Sequence, residues 1–521
     1  MSKLARVCLA MIIAGAWFAL AASAQEENIV VVDNTTSVIN GDTTDIPSLI
    51  AHPGSDGISF AEAFKAASAM TGKKVITFNE SLIGKTIEVT TTADDRRLFV
   101  FDTPDITILG DLDGNGTPDV TLAAARGSVL AFVIRSSRTT IEGIHLITGF
   151  DGAPITFACL DFVCDDHLLR GIRILDNEIV NLAGPAIEVS IGPPRSGMIP
   201  YVGDLFFDDL QISGNEISAA GTGVSMSVAV QGFSNERARA VTISRNKINA
   251  PAGIRIIAAD GTSAPDFSDN NTIENLTIDQ NTIQTSGTAI KVFAANFGNS
   301  NNRITGLQIT GNQIEAANGI DVAASGDGKP QRIGSGNIIE NLTIAGNQIK
   351  ATGRGIAVSA ADLPASESSS AGFDSNRVRR ITIRDNTVSG YSDAGVRVWG
   401  AVANNGTVTT NALEDVSVAN NVLTAGLRQA FGIGIVGGDG KGGSARNNAI
   451  RTLSITGNRA SGGAVGVVFI GGNGPQAVSN TIEVLHFSGN DLQANDIGVS
   501  AIENQGGGGN AVRFPRRRAV R

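Results

Sequence analysis

Ten asparagines spaced 31 to 39 residues apart constrain this chain more than any other feature. They are Asn177, Asn215, Asn246, Asn281, Asn312, Asn347, Asn386, Asn421, Asn458 and Asn490. Each sits in the same frame, apolar-x-apolar-x-x-Asn-x-apolar, as in Val241-Thr-Ile-Ser-Arg-Asn-Lys-Ile248. Self-similarity at such a period marks a repeat architecture. In one copy, Leu342 and Ile344 alternate with Thr343 and Ala345, the pattern of a strand with one buried face. Gly346-Asn347 then supplies a turn, because both residues tolerate left-handed backbone angles. Ile349 returns to the core, and Gly355–Val358 reads as a second strand. Two or three strand-like runs per repeat are too few for a propeller blade, and Leu lacks the fixed positions of leucine-rich repeats. The expected fold is all-β: a right-handed parallel β-helix with an N-terminal capping helix, its coils stacked about 4.8 Å apart.

One coil cannot bury its Ile, Val and Leu alone, so stacked coils share one core. Asparagines stacked at one turn can exchange amide hydrogen bonds from coil to coil. The ten asparagines are therefore expected to be structural.

The organisation follows from both ends. Residues 1–24 have the charged start, apolar segment and Ala22-Ser23-Ala24 cleavage site of a secretory signal. The mature chain would begin at Gln25, and no later stretch is apolar for long enough to span a bilayer. Localisation is expected to be exported: periplasmic, secreted or at the cell surface. Residues 25–57 read as a loosely ordered polar lead-in and 58–505 as the β-helix with its cap. Ser59 and Glu62 have capping-box spacing, with Phe60, Phe64 and Ala67 on one face. Strands are expected at Val75–Phe78, Thr86–Thr90, Leu98–Phe101 and Ile106–Leu109. Residues 506–521, four glycines followed by an arginine-rich run, read as a flexible tail.

Loss of Lys3 and Arg6 with the signal leaves 38 basic against 50 acidic side chains, a net charge of −12. That argues against nucleic acid as a partner and, more weakly, against polyanionic polysaccharide unless local cations intervene. Cys159 and Cys164 are the two cysteines of the mature chain, and an exported protein would join them in a disulfide.

Asp111, Asp113, Asn115 and Asp119 alternate along a tight glycine-containing loop, the spacing that opens an EF-hand calcium loop. Leu122 stands where the bidentate Glu of such a loop belongs, but Ca²⁺ remains the expected cofactor.

The repeats resemble those of the pectin-lyase-like superfamily of parallel β-helices over residues 70–510. Val32-Asp-Asn-Thr-Thr36, Pro53-Gly-Ser-Asp-Gly-Ile-Ser59 and Glu62-Ala63 are similar to the lead-in of CSLREA-type bacterial surface proteins. Ser59-Phe-Ala-Glu-Ala63 replaces the usual Ser-Leu-Arg-Glu-Ala of that group. The resemblance implies an exported or surface β-helix, a class that includes both binding scaffolds and sugar-cleaving enzymes.

Loops after the second strand, at Ala360–Val378, Gly400–Leu413 and Gly437–Ile450, should emerge on one side and form a binding face. Aligning that strand puts Arg255, Lys291 and Asp321 on three successive coils, with Ala357, Arg397 and Gly434 following. The first three are candidate catalytic residues, since lyases of the resembled superfamily use a basic residue beside a carboxylate. Tyr391, Arg397 and Trp399 are candidate binding residues: an aromatic face with a nearby donor suits a sugar. The chain lacks paired-carboxylate galacturonase motifs, a clustered His set, a Gly-x-Ser-x-Gly elbow and a phosphate loop. The expected function is a scaffold binding a polysaccharide or cell-surface partner through its loop face. The alternative is a polysaccharide lyase, hydrolase or epimerase.

Overall fold

The computed structural model describes residues 28–90, 98–126, 128–158, 168–190, 206–230, 234–260, 268–296, 298–326, 333–363, 372–404 and 406–514. The signal segment, Cys159 and Cys164 lie outside them. The described chain is a parallel β-solenoid. Three long sheets, a first of 16, a second of 13 and a third of 14 strands, run its length, and a short sheet of five strands joins them along the C-terminal part. The chain visits the first, second and third sheets in turn, as in Thr272–Asp279, Thr282–Gln284 and Thr288–Ala295.

Inward side chains stack in columns of like residues. Ile278 is flanked in register by Ile243 and Ile309 in the first sheet, and Ile283 by Ile248 and Ile314 in the second. In the third, Ile290 and Val292 sit between Ile254 and Ile256 on one side and Ile320 and Val322 on the other. All are buried in one core. The outer row of the first sheet alternates in charge where it can: Asp208, Arg239 and Glu274 are neighbours, then Glu340, Arg379, Glu414 and Arg451. A one-residue slip in register would break these pairs and turn the Ile columns outward.

The ten repeat asparagines form a continuous ladder, buried from Asn177 to Asn458 and half-buried at Asn490. Asn312 typifies it: its backbone N–H and side-chain amide both donate to Asn347 Oδ1, at 3.0 and 2.9 Å, and the same amide donates to Ile278 O at 3.0 Å. The left-handed residue is the one before each asparagine: Gly346 at φ 65°, but also Arg245, Gln280 and Asn420 near 55°. A non-glycine residue there costs on the order of 1 kcal/mol, offset by the ladder bonds that the turn makes possible.

A second ladder, not anticipated from the sequence, joins Asn271, Asn302, Asn337, Asn376, Asn411, Asn448, Asn480 and Asn510. Each stands just before a strand of the first sheet. A full-length first-sheet strand such as Arg377–Arg384 therefore has a ladder asparagine at each end.

The ends of the chain depart from expectation. The lead-in contains a strand, Asn28–Val32, paired in parallel with Lys74–Phe78, and a short helix, Ile46–Ala51. Glu62 explains this order. One carboxylate oxygen closes the capping box on Ser59 N at 2.8 Å, and the other accepts from Asn40 N and Gly41 N at 2.7 Å each. The helix Phe60–Ser68 packs Phe60 and Phe64 against Phe78, Phe99 and Phe101. At the other end, residue 506 does not begin a tail. Asn510 accepts from Asn480 N at 2.8 Å, and Ala511–Arg513 pairs with Thr481–Glu483, because the second ladder runs one coil further.

The expected variable loops are also more regular than read. Ile333–Ser335, Gly372–Asp374, Thr407–Thr409, Ser444–Arg446 and Ala477–Val478 form the fourth sheet. Its inward Phe373, Val408 and Ala445 build a small separate core with Ala361, Leu363, Ala401 and Ala403. Asp362 and Val402, near the third-sheet strand ends that pack on this small core, form one wall beside that sheet's central row.

Candidate functional site

The outer face of the third sheet carries the row read from the sequence, in the same register. Ser225, Arg255, Lys291, Asp321, Ala357, Arg397 and Gly434 are successive partners across parallel strands. Rungs lie about 4.8 Å apart. Ala357 has almost no side chain, so a gap opens between Asp321 and Arg397. The row two residues on repeats the device: Phe293 and Trp399 are separated by Ala323 and Ser359. Five residues beyond the first row, Asp362, Val402 and Asp439 are in register along the wall.

Together these rows bound a cleft of about 510 Å³. Lys291, Asp321, Arg354, Asp362, Arg397 and Asp439 line it, with Phe293, Trp399, Asn404 and Lys441 at its edges. Two sets of candidates, Lys291 with Asp321 and Arg397 with Trp399, thus meet in one place.

Asp321 is the most constrained group. It is 7% exposed, with Arg354 Nη2 at 3.7 Å. Burial pushes its carboxyl up to about 6, and Arg354, Lys291 and Arg397 only partly offset this. Asp439 is also shifted upward by burial, against the backbone N–H of Lys441 at 3.2 Å. Arg397 is drawn down to about 10 by burial, with Arg354 nearby, and stays protonated at neutral pH. It donates to Asp393 at 3.1 Å and lies over the Trp399 ring. One face of the indole is therefore covered by the guanidinium. The Lys291 ammonium stands 5.1 Å from the Phe293 ring centroid.

Two sequence candidates do not belong here. Arg255 is in the row but bonds Asp260, five residues along its own strand, at 2.8 Å, and does not line the cleft. Tyr391 is fully buried in the core. Its ring lies where a side chain on Gly395 would sit, and its hydroxyl lacks a protein partner. Burial raises its phenol well above the ordinary value. Arg354, Asp362, Asp439 and Lys441 were missed. An acidic residue recurs five positions after the row, at Asp260, Asp362 and Asp439, and that interval was the available signal.

The glycine loop at Asp111–Asp119 lies elsewhere. Carboxylate oxygens of Asp111, Asp113 and Asp119 lie within 4.8 Å of one another, a donor set of the kind a hard cation takes. Asp111 already accepts from the amides of Gly114, Asn115 and Gly116, at 2.8, 3.2 and 2.8 Å, so the loop holds its shape through its own bonds.

No family model and no curated protein matches this chain. Among solved structures, tailspike protein 3 of bacteriophage CBA120 aligns at 11% identity and a TM-score of 0.31, covering 88% of this chain. The chain spans 59% of that tailspike chain. The A-module of the mannuronan C-5 epimerase AlgE4 from Azotobacter vinelandii aligns at 11% identity and a TM-score of 0.23, over 92% of this chain and 97% of the module. At these scores neither likeness bears on ligand or activity. Among the described residues no helix is long and apolar enough to cross a membrane.

Proposed function

We propose that this is an exported β-helix protein, of the pectin-lyase-like and CSLREA-like surface type, that binds a glycan of its envelope or surroundings in the cleft on the third sheet. The observation that supports this reading is the convergence of Asp321, Arg354, Arg397 and Trp399 over Ala357 and Gly434, two positions without bulk. Guanidinium groups offer planar, directed donors, and a carboxylate offers acceptors for hydroxyl pairs. The indole edge adds apolar contact beside them.

The test is calorimetric titration against a panel of acidic and neutral polysaccharides. The expected result is binding to at least one, weakened about tenfold or more by Arg397→Ala with the thermal midpoint unchanged. Failure of every glycan to bind, or the absence of any glycan whose binding Arg397→Ala weakens, overturns the reading.

Turnover of the bound glycan is a second reading, favoured by the position of Asp321. A carboxyl held near 6 can exchange a proton at physiological pH. Reducing ends or unsaturated sugars, lost in Asp321→Asn, are its expected signature. Binding without product confines the protein to the scaffold role.

A further inference from the structure

The outer face of the second sheet carries different chemistry from the cleft. Thr282, Gln313, Gln348 and Thr387 follow one another in register on four strands, all exposed. Two residues on, a parallel row runs Ser218, Asn249, Gln284, Glu315, Lys350 and Ser389. Glu315 and Lys350 pair at 2.8 Å, so the stretch is neutral as well as polar. On the first two rungs, beside Ser218 and Asn249, Glu216 and Lys247 pair with each other at 2.6 Å; further charge stands beyond the stretch, at Glu178 on one side and Arg459 and Asp491 on the other.

Two hollows of about 600 and 390 Å³ lie on this face and on the corner that leads to the third sheet. They share Gln284 and Glu315 and so lie side by side along that row; the two together are the trough. Ala250, Ala316 and Ala317 keep the corner shallow-walled and open. Six rungs from Ser218 to Ser389 give a length of about 24 Å.

We propose that this trough is a second binding site, for a linear neutral polysaccharide lying along the solenoid axis. Each Gln or Asn amide presents two donors and an acceptor, the complement of adjacent sugar hydroxyls. The rungs repeat at close to the advance of one linked pyranose, so neighbouring sugars meet equivalent groups. The trough contains no aromatic ring, so each contact is weak and affinity comes from occupying several rungs at once. An extended peptide would need a free sheet edge, and here the backbone bonds are already used between coils. The site lies on another sheet from the cleft and does not depend on the function proposed for it.

The experiment is calorimetric titration of the full chain with neutral hexasaccharides of β-1,4-linked glucose, xylose and mannose. At least one binds. Gln313→Ala/Gln348→Ala weakens it about tenfold or more, and Arg397→Ala leaves it unchanged. Both glutamines are exposed, so the double variant keeps its thermal midpoint. The proposal is overturned if none of the three binds at millimolar concentration, if the double variant binds as well as the parent, or if Arg397→Ala alone removes binding.

Discussion

Asn347→Ala tests what holds the coils together. The Asn347 side chain is fully buried. Its amide donates to Ile309 O at 2.9 Å, Ala345 O at 3.2 Å and Asn386 Oδ1 at 2.9 Å. Its oxygen accepts from the backbone N–H and side-chain amide of Asn312 at 3.0 and 2.9 Å. Alanine removes all five. Some partners keep another bond: Asn312 Nδ2 still reaches Ile278 O, and Asn386 Oδ1 still accepts from residue 347 N. The buried Asn312 N–H loses its side-chain acceptor. At about 1 kcal/mol net per bond, the loss is about 3–5 kcal/mol. Long repeat arrays do not unfold in two states, so the assay is local: hydrogen exchange of the Asn312 amide, alongside urea denaturation. Protection at Asn312 is expected to fall by about two decades or more, the equivalent of about 3 kcal/mol. Gln348→Ala, one residue on and exposed, is expected to change stability by less than about 0.5 kcal/mol. Equal behaviour of the two variants would refute a ladder that carries stability.

Three further outcomes follow from named groups. Burial raises the folded pKa of Asp321 to about 6 from its ordinary value of 3.8. Between those values the folded state binds the extra proton, so stability from this group falls as pH rises from about 4 to 6, by up to about 3 kcal/mol. Asp321→Asn is expected to flatten that segment of the stability profile and raise the thermal midpoint at pH 7; a lower midpoint at pH 7 contradicts the burial cost. Gly355→Ala would press its Cβ on the Gly395 carbonyl and Val388, costing about 1–3 kcal/mol in denaturant titration, and an unchanged midpoint would show that the coils can separate there. The Asp111–Asp119 loop lacks the twelfth-position Glu, so calcium is expected to bind with a Kd of about 10⁻⁴–10⁻³ M, abolished by Asp113→Asn/Asp119→Asn; calorimetric affinity tighter than about 10⁻⁶ M would contradict this.

Much of the coil geometry was legible because a solenoid converts sequence period into spatial neighbourhood. The spacing of Asn177 to Asn490 gave the first ladder, and the alignment at Arg255 gave the register through Gly434. The second ladder has the same period, but Asn376, Asn411 and Asn448 fall in the segments expected to be loops. The fourth sheet was missed for a related reason: its strands are two or three residues long, too short for alternation to register.

Side-chain direction was harder. Alternation holds within a strand but not across the turn that precedes it, so it leaves the direction of Tyr391 open, and the space at Gly395 admits its ring to the core. Arg255 kept its rung but was captured by Asp260, a partner on its own strand. Arg354, Asp362 and Lys441 reach the cleft from outside the central row, through a turn and a wall that only the stacked coils bring together.

The central claim is that the third-sheet cleft holds the glycan. Trp399 is the one tryptophan after residue 24, and it lines that cleft. Intrinsic fluorescence of the chain from Gln25 therefore reports the site directly. With the glycan selected by calorimetry, Trp399 emission is expected to shift and saturate at the same midpoint as the heat, and Arg397→Ala is expected to abolish both. For a glycan whose calorimetric binding Arg397→Ala diminishes, saturating heat with unchanged Trp399 emission would place the ligand elsewhere and contradict the account.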